Sequence, residues 1–372
     1  LEELRHMSAS HPDDSAIREN LAKGLFNAFN DAGDVGDTSR ADVLLEELRH
    51  MNITNPDDAA LRENLAKGLA NAIYYAGEAS HASQEGLMLN ELRQLSMNYP
   101  DDVLVRESLA RGLYNVIYFA GDAGDVSQTC SLLEELRQLN TRYPADTSVR
   151  EQLTNSLYNA FNDAKKAGDS SRADALLDGL RQLNKDYPDN AVVRENLAKG
   201  LFNAFRDAKE AGNAARAGVL LNELRRLNTD YPDDTLVREP LARGLFNALN
   251  DAGRVDDASR VGSLLDELLD LVPFYQERMD QEDTQRLVFI CGMGLLTLVK
   301  LGDVINTQKG MSRLLSMIPD SMTELVRIIK LAMDVLVLEK EKGEKGKEQA
   351  LAREPEEVRR VVRMLLNELE QK

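Results

Sequence analysis

The sequence predicts an all-α solenoid of stacked helix pairs, and three observations lead there. An arginine closing a Leu-Arg signature recurs at Arg5, Arg49, Arg93, Arg137, Arg181 and Arg225, each 44 residues after the last. Prolines (Pro12, Pro56, Pro100, Pro144, Pro188, Pro232) and asparagines (Asn27, Asn71, Asn115, Asn159, Asn203, Asn247) keep the same step without an insertion, so most of the chain is a repeat array. Within each step the apolar residues form two stripes at three-and-four spacing, the period of a helix. Neither stripe can be buried inside one copy, and stacking on the next copy supplies the missing wall.

The copy at 188–231 shows the elements plainly. Its first helix is expected over about 191–211, where Val193, Leu197, Gly200, Leu201, Ala204, Phe205 and Ala208 share a face. Asp189 and Asn190 follow the proline, where they can cap the helix and suit its positive end. Gly212 stops it. The second helix is expected over about 214–228 on Ala217, Leu220, Leu221, Leu224 and Leu227. Pro232 ends it, because proline disfavours helix for the residue before it.

Along the chain, residues 1–10 read as an orphan second helix, and six copies follow to about residue 271. In copy six Pro240 stands where copy five has Asn196, and it is expected to loosen or kink the start of that helix. The register then fades, with Gln276 in place of proline and Cys291 in place of asparagine. Residues 272–372 form a second region: a diverged pair over 283–301 and 304–317 closed by Pro319, and a helix over 321–341 beginning at Ser321. A charged linker, EKEKGEKGKEQ, precedes a last helix opened by Pro355 and carrying Val358, Val361, Val362, Leu365, Leu366 and Leu369. Such atypical ends are expected to cap a solenoid.

Leu197, Gly200, Leu201 and Ala204 keep a 4-7-8-11 spacing in the first helix, and Ala217, Leu221 and Leu224 precede a proline in the second. On these residues the unit resembles a tetratricopeptide repeat, lengthened from the usual ~34 residues. Two departures stand out: the Leu-Gly order is swapped, and Leu224 is large where that family has a small residue. The resemblance covers about residues 1–271. It implies a right-handed α-α superhelix with first helices lining the concave face, and a surface that binds peptides or proteins.

With 45 basic against 63 acidic residues the net charge is −18, which argues against a nucleic-acid partner. Cys130 and Cys291 show no metal or redox spacing, as expected in a reducing, cytoplasmic setting. The longest apolar stretch, 287–299, is short and glycine-broken for a membrane span, and no signal-peptide pattern is present. The chain opens inside a second helix without an initiator Met, as a piece of a longer protein would. No Walker loop, HExxH, GxSxG or cysteine-histidine pattern occurs, so neither an enzyme nor a cofactor is expected. His6, His11, His50 and His81 read as surface substitutions.

Arg18, Arg62, Arg106, Arg150, Arg194 and Arg238 recur on the apolar side of each first helix, where an arginine needs a partner. The second-helix glutamates of the preceding copy, Glu3, Glu47, Glu91, Glu135 and Glu223, are the expected partners, with Gly179 breaking the series before copy five. A structural ladder is the reading. The asparagine series centres a polar stripe that includes Lys23 and Asn30 around Asn27, opposite Leu25 and Phe29. In a tetratricopeptide-like superhelix that stripe is the groove floor. A basic row, Lys23, Lys67, Arg111, Lys199 and Arg243, stands four residues before its asparagines. With them it resembles the carboxylate clamp of some tetratricopeptide domains; alternatively, each cation pairs with the glutamate four residues earlier, such as Glu19 or Glu63.

Copies two and three depart from the rest. Tyr74-Tyr75 and Tyr118-Phe119 replace Asn30-Asp31, Asn162-Asp163 and Asn250-Asp251. They read either as local packing or as an aromatic anchor pocket beside Lys67, Asn71, Arg111 and Asn115. Phe26, Phe29, Tyr114, Tyr158, Phe161, Phe202, Phe205 and Phe246 are expected in the core. The expected function is a non-enzymatic scaffold holding a peptide or protein segment, one with acidic or C-terminal carboxylate groups, in its groove. The alternative is a sensor arm of a larger enzyme, a nucleotide-driven switch or a protease; self-association through repeat ends is a third. No nucleic acid and no membrane are expected as partners.

Overall fold

The computed structural model describes residues 1–278, 281–318, 322–352 and 354–371. Among them are eighteen helices and no strand. After α1 (Glu2–Ser10) come six pairs: α2 (Ser15–Asp34) with α3 (Thr38–Thr54), α4 (Ala59–Glu78) with α5 (Ala82–Asn98), α6 (Val103–Asp122) with α7 (Val126–Arg142), α8 (Thr147–Lys166) with α9 (Ser170–Asp186), α10 (Ala191–Glu210) with α11 (Ala214–Asp230), and α12 (Thr235–Arg254) with α13 (Ala258–Arg278). Then follow α14 (Gln281–Leu301), α15 (Val304–Met317), α16 (Thr323–Lys342), α17 (Glu344–Leu351) and α18 (Glu356–Gln371). This is the all-α repeat solenoid the register predicts.

The cap chemistry explains the boundaries. Asp14, Asp58, Asp102, Asp146, Asn190 and Asp234 each accept first-turn backbone N–H groups. Gly36, Gly124, Gly168 and Gly212 turn the chain after the first helix with φ of 72°, 73°, 73° and 70°. In copies two and six Ser80 (φ 59°) and Asp256 (φ 56°) take the same left-handed turn, a strained place for a residue with a side chain. Pro240 does not break its helix: α12 runs through it, and Pro240 is buried.

The chain forms two compact units, Leu1–Leu197 and Ala198–Lys372. The boundary expected at residue 271 falls inside α13, where Leu271, Val272, Phe274 and Tyr275 are buried. In the first unit α2, α4, α6 and α8 pack directly on one another, and α3, α5 and α7 pack on them. The core is the stripe the sequence shows, with Leu25, Leu48, Leu61, Leu69, Leu92, Leu113 and Leu136 fully buried.

Two ladders join successive copies there, and neither is the pairing expected. The glutamates Glu47, Glu91 and Glu135 pair with the second-helix arginines Arg5, Arg49 and Arg93, at 2.6, 2.8 and 2.6 Å. The first-helix arginines instead reach forward to the cap aspartate of the next copy. Arg18, Arg62 and Arg106 donate through Nε to Asp58, Asp102 and Asp146 at 3.3, 2.9 and 2.8 Å. Each also donates to the carbonyl of its own proline, Pro12, Pro56 or Pro100. The Arg62 guanidinium lies 3.9 Å from the centre of the Tyr99 ring, Arg106 lies 4.0 Å from Tyr143, and Arg150 3.7 Å from Tyr187. The physical reason is reach: the cap aspartate stands at the joint between copies, beside the buried arginine.

In the second unit α12, α13, α15 and α16 surround α14. At 21 residues α14 is long and apolar enough to cross a membrane, more than the stretch 287–299 suggested. Here it packs as a core helix, with Leu295, Leu296 and Leu298 inaccessible. Burial pushes the Cys291 thiol up to about 12. The sequence EKEKGEKGKEQ is not a linker: α16 continues to Lys342, Gly343 turns the chain at φ 67°, and α17 begins at Glu344. Gly346 allows that reversal, because a Cβ there would lie 2.3 Å from the Leu338 carbonyl oxygen. Val362, Leu365, Leu366 and Leu369 of α18 close the core over Met293, Ala332 and Val335. Pro319 and Ser321 lie outside the described residues.

The Arg106→Ala variant is expected to lose roughly 1–4 kcal/mol, because it strands a buried aspartate. The Asp146 side chain is 5% exposed. Chemical denaturation of the intact chain measures this, and an unchanged unfolding midpoint would contradict it.

Candidate functional site

The aromatics of copies two and three do two different jobs, set by alternate positions on one helix. Tyr75 and Phe119 point back at the preceding first helix, and glycine makes room for each. A Cβ on Gly33 would lie 2.2 Å from the Tyr75 ring, and one on Gly77 would lie 2.0 Å from the Phe119 ring. The Tyr75 hydroxyl donates to Asp34 Oδ1 at 2.8 Å. Burial, then that carboxylate, push its pKa up to about 12. These two rings therefore lock neighbouring copies together.

Tyr74 and Tyr118 point outward, 44% and 41% exposed. The rings nevertheless form one run. Phe29 meets Tyr75 at 5.8 Å between centroids, Tyr75 meets Tyr74 at 5.9 Å, Tyr74 meets Phe119 at 5.9 Å, and Phe119 meets Tyr118 at 5.2 Å. Edge and tilted geometries of this kind add to the burial of each ring. The run spans copies one to three, so both sequence readings, packing and exposed patch, describe part of it.

The polar residues expected around the patch are engaged elsewhere. Asn71 donates to Asn30 Oδ1 at 2.8 Å, Asn115 to the Ala70 carbonyl at 3.0 Å, and Asn159 to the Tyr114 hydroxyl at 3.4 Å. These amides bridge adjacent first helices; they do not floor an open groove. Asn27, on the first such helix, is exposed. Lys23 pairs with Glu19 at 2.5 Å, Arg243 with Glu239 at 2.6 Å, and Lys67 with Glu63. Arg111 is half-buried and donates to the Lys67 carbonyl at 3.4 Å. Burial pushes its pKa down, against Glu107. The clamp expected from Lys67, Asn71, Arg111 and Asn115 is not assembled: Asn71, Arg111 and Asn115 donate to the preceding first helix, and Lys67 pairs with Glu63 of its own helix.

Sequence reasoning also misplaced some aromatics. Phe29, Phe161 and Phe205 are buried as expected and Phe246 packs against the core of the second unit, whereas Phe26, Tyr114, Tyr158 and Phe202 are only half-buried on the first helices. Their position one turn before Asn30, Tyr118 and Asn162 was the available signal. Among the described residues no group of His, Cys, Asp and Glu could hold a metal ion.

Clefts open where the turn of one copy meets the first helix of the next. One of about 580 Å³ lies between copies one and two, beside Tyr74 and Tyr75. Its counterpart between copies five and six, about 600 Å³, lies beside Phe205 and Asp251.

No family model matches this sequence, and no curated protein matches it. Solved structures do, among them a "Circular tandem repeat protein with novel repeat topology and enhanced subunit contact surfaces". That chain is 14% identical at a TM-score of 0.41, with 96% of this chain and 98% of that chain covered. At that level the likeness adds nothing about function.

The interlock makes a prediction whose sign changes with context. Alanine for glycine inside a helix is worth roughly 1 kcal/mol of propensity, while overpacking costs about 1–3 kcal/mol. Gly77→Ala is expected to destabilise the chain, and to stabilise it in a Phe119→Ala background. Denaturation midpoints of the four variants read this out; the same sign in both backgrounds would refute the interlock.

Proposed function

We propose that this chain is a non-enzymatic scaffold that binds a peptide or protein segment across the first helices of copies two and three. The observation that carries the reading is the exposure of Tyr74 and Tyr118 within a continuous run of five rings. Copies one and four, without the paired aromatics, place Asn30 and Asn162 at the position of Tyr74 and Tyr118. A large ring held rigid by its neighbours and left open to water is the usual anchor of a protein interface, since little side-chain entropy is lost when a partner covers it. The resemblance of the unit to a tetratricopeptide repeat supports a peptide-binding surface on these helices. Tyr75 and Phe119 serve this surface as its buttress.

Random peptides displayed on phage and selected on the intact chain test the reading. Selected peptides are expected to bind at least about tenfold more weakly to the Tyr74→Asn, Tyr118→Asn variant, a loss of about 1.4 kcal/mol. Circular dichroism and the unfolding midpoint of that variant should remain near those of the parent. Equal affinity for parent and variant would remove the tyrosines from the binding surface.

A further inference from the structure

The cleft between copies one and two has a chemistry opposite to the carboxylate clamp that the sequence suggested. We infer that it is an arginine socket, receiving the guanidinium of an arginine in a partner peptide between tyrosine rings and carboxylates. The inference rests on the reading that this face binds a peptide, and it specifies the partner.

The lining comes first. Tyr74 and Tyr75 form one wall, and Asp34, Asp42 and Glu78 supply three carboxylates in about 580 Å³. Among the described residues that line it there is no lysine or arginine. The Tyr75 hydroxyl donates to Asp34 Oδ1, which fixes ring and carboxylate side by side. A carboxylate has about four acceptor sites, so one hydrogen bond leaves Asp34 able to take more.

The chain itself shows what such an arrangement holds. At the joints between copies it seats its own arginines between a tyrosine ring and an aspartate: Arg62 lies over Tyr99 with Nε on Asp102, and Arg106 lies over Tyr143 with Nε on Asp146. The cleft likewise sets tyrosine rings beside carboxylates, with no lysine or arginine among its lining residues. A flat guanidinium stacks on a ring and donates in a fork to carboxylates at once, which a lysine ammonium cannot do.

The charge belongs to this cleft and does not come with the repeat. Four copies along, the equivalent cleft is nearly the same size, but Arg254 and Arg260 stand where Glu78 and Gln84 stand here, and Lys209 replaces Gly33. There Asp251, at the position of Tyr75, accepts Lys209 at 2.9 Å. The 44-residue register makes the cleft; the substitutions in copies one and two make it an acidic, aromatic one.

The probe is a dodecapeptide with one central arginine flanked by leucine and glycine, compared with the same peptide carrying citrulline, which keeps the shape and removes the charge. Isothermal titration on the intact chain is expected to show the arginine peptide binding at least about tenfold more tightly, the scale of a charge-assisted hydrogen bond. Asp42→Asn with Glu78→Gln should erase that preference. The charge-matched control Asp101→Asn with Asp230→Asn should leave it within about twofold. Equal binding of the two peptides, or equal loss in both variants, overturns the socket. A glutamate peptide that binds instead, and is lost with Tyr74→Asn and Tyr118→Asn, also overturns the socket while the aromatic surface stands. Insensitivity of every bound peptide to those tyrosine substitutions overturns the surface itself.

Discussion

One buried arginine per joint is the constraint on which the first unit depends. Where the seat is complete, as at Arg62 and Arg106, its guanidinium closes four requirements at once: the aspartate that caps the next first helix, the carbonyl of its own proline, the ring of the tyrosine before the next proline, and its own burial. Arg62 does this with Asp102, Pro56 and Tyr99. The Tyr99 hydroxyl donates to the same Pro56 carbonyl, at 3.0 Å. A planar cation with five fixed donors fits such a seat, and a lysine would satisfy only part of it. The repetition of proline, aspartate, arginine and tyrosine at one step follows, because losing any one member leaves a buried polar group without its partner.

With the joints fixed, the first helices sit close enough that their contact face becomes selective. Asparagine amides cross from helix to helix, and one position before the turn must be either small or long. Gly33 and Gly77 admit the rings of Tyr75 and Phe119, and Lys209 at the same position meets Asp251 as an ion pair. The rings that enter hold the neighbouring Tyr74 and Tyr118 upright toward solvent. Exposure of these two aromatics is thus a consequence of how their neighbours are locked. The second helices stand further apart and are spanned by long arginine-glutamate pairs; Gly179 leaves Arg137 with Glu134 at 3.7 Å.

The helix pairs, their caps and the array were legible in the sequence because a 44-residue period in several residue types has few other physical causes. Wheel geometry placed Asn71 and Asn115 on a polar face but could not say whether solvent or another helix lay beyond it. The arginine partners were misassigned by looking backward for glutamate, although an aspartate two residues after the proline recurs in five of the six copies. The glycines were a readable clue too: Gly33 and Gly77 each precede a ring by 42 residues, and Lys209 precedes Asp251 by the same distance. EKEKGEKGKEQ misled because high charge suits a solvated helix as well as a linker. Lys347 and Glu339 pair at 3.3 Å across its glycine turn.

The joint at Arg150 lacks its acceptor. Arg150 stacks on Tyr187, but Asn190 stands where the other joints have aspartate, and the buried Arg150 Nε has no partner. Asn190 still caps its helix through Val193, at 3.1 Å. Asn190→Asp restores the missing acceptor, and the account predicts a gain of roughly 1–3 kcal/mol in chemical denaturation. Most of that gain should vanish in an Arg150→Ala background, leaving only the few tenths expected from a negative charge at a helix start. No gain, or the same gain with and without Arg150, would contradict the claim that the arginine joins one copy to the next.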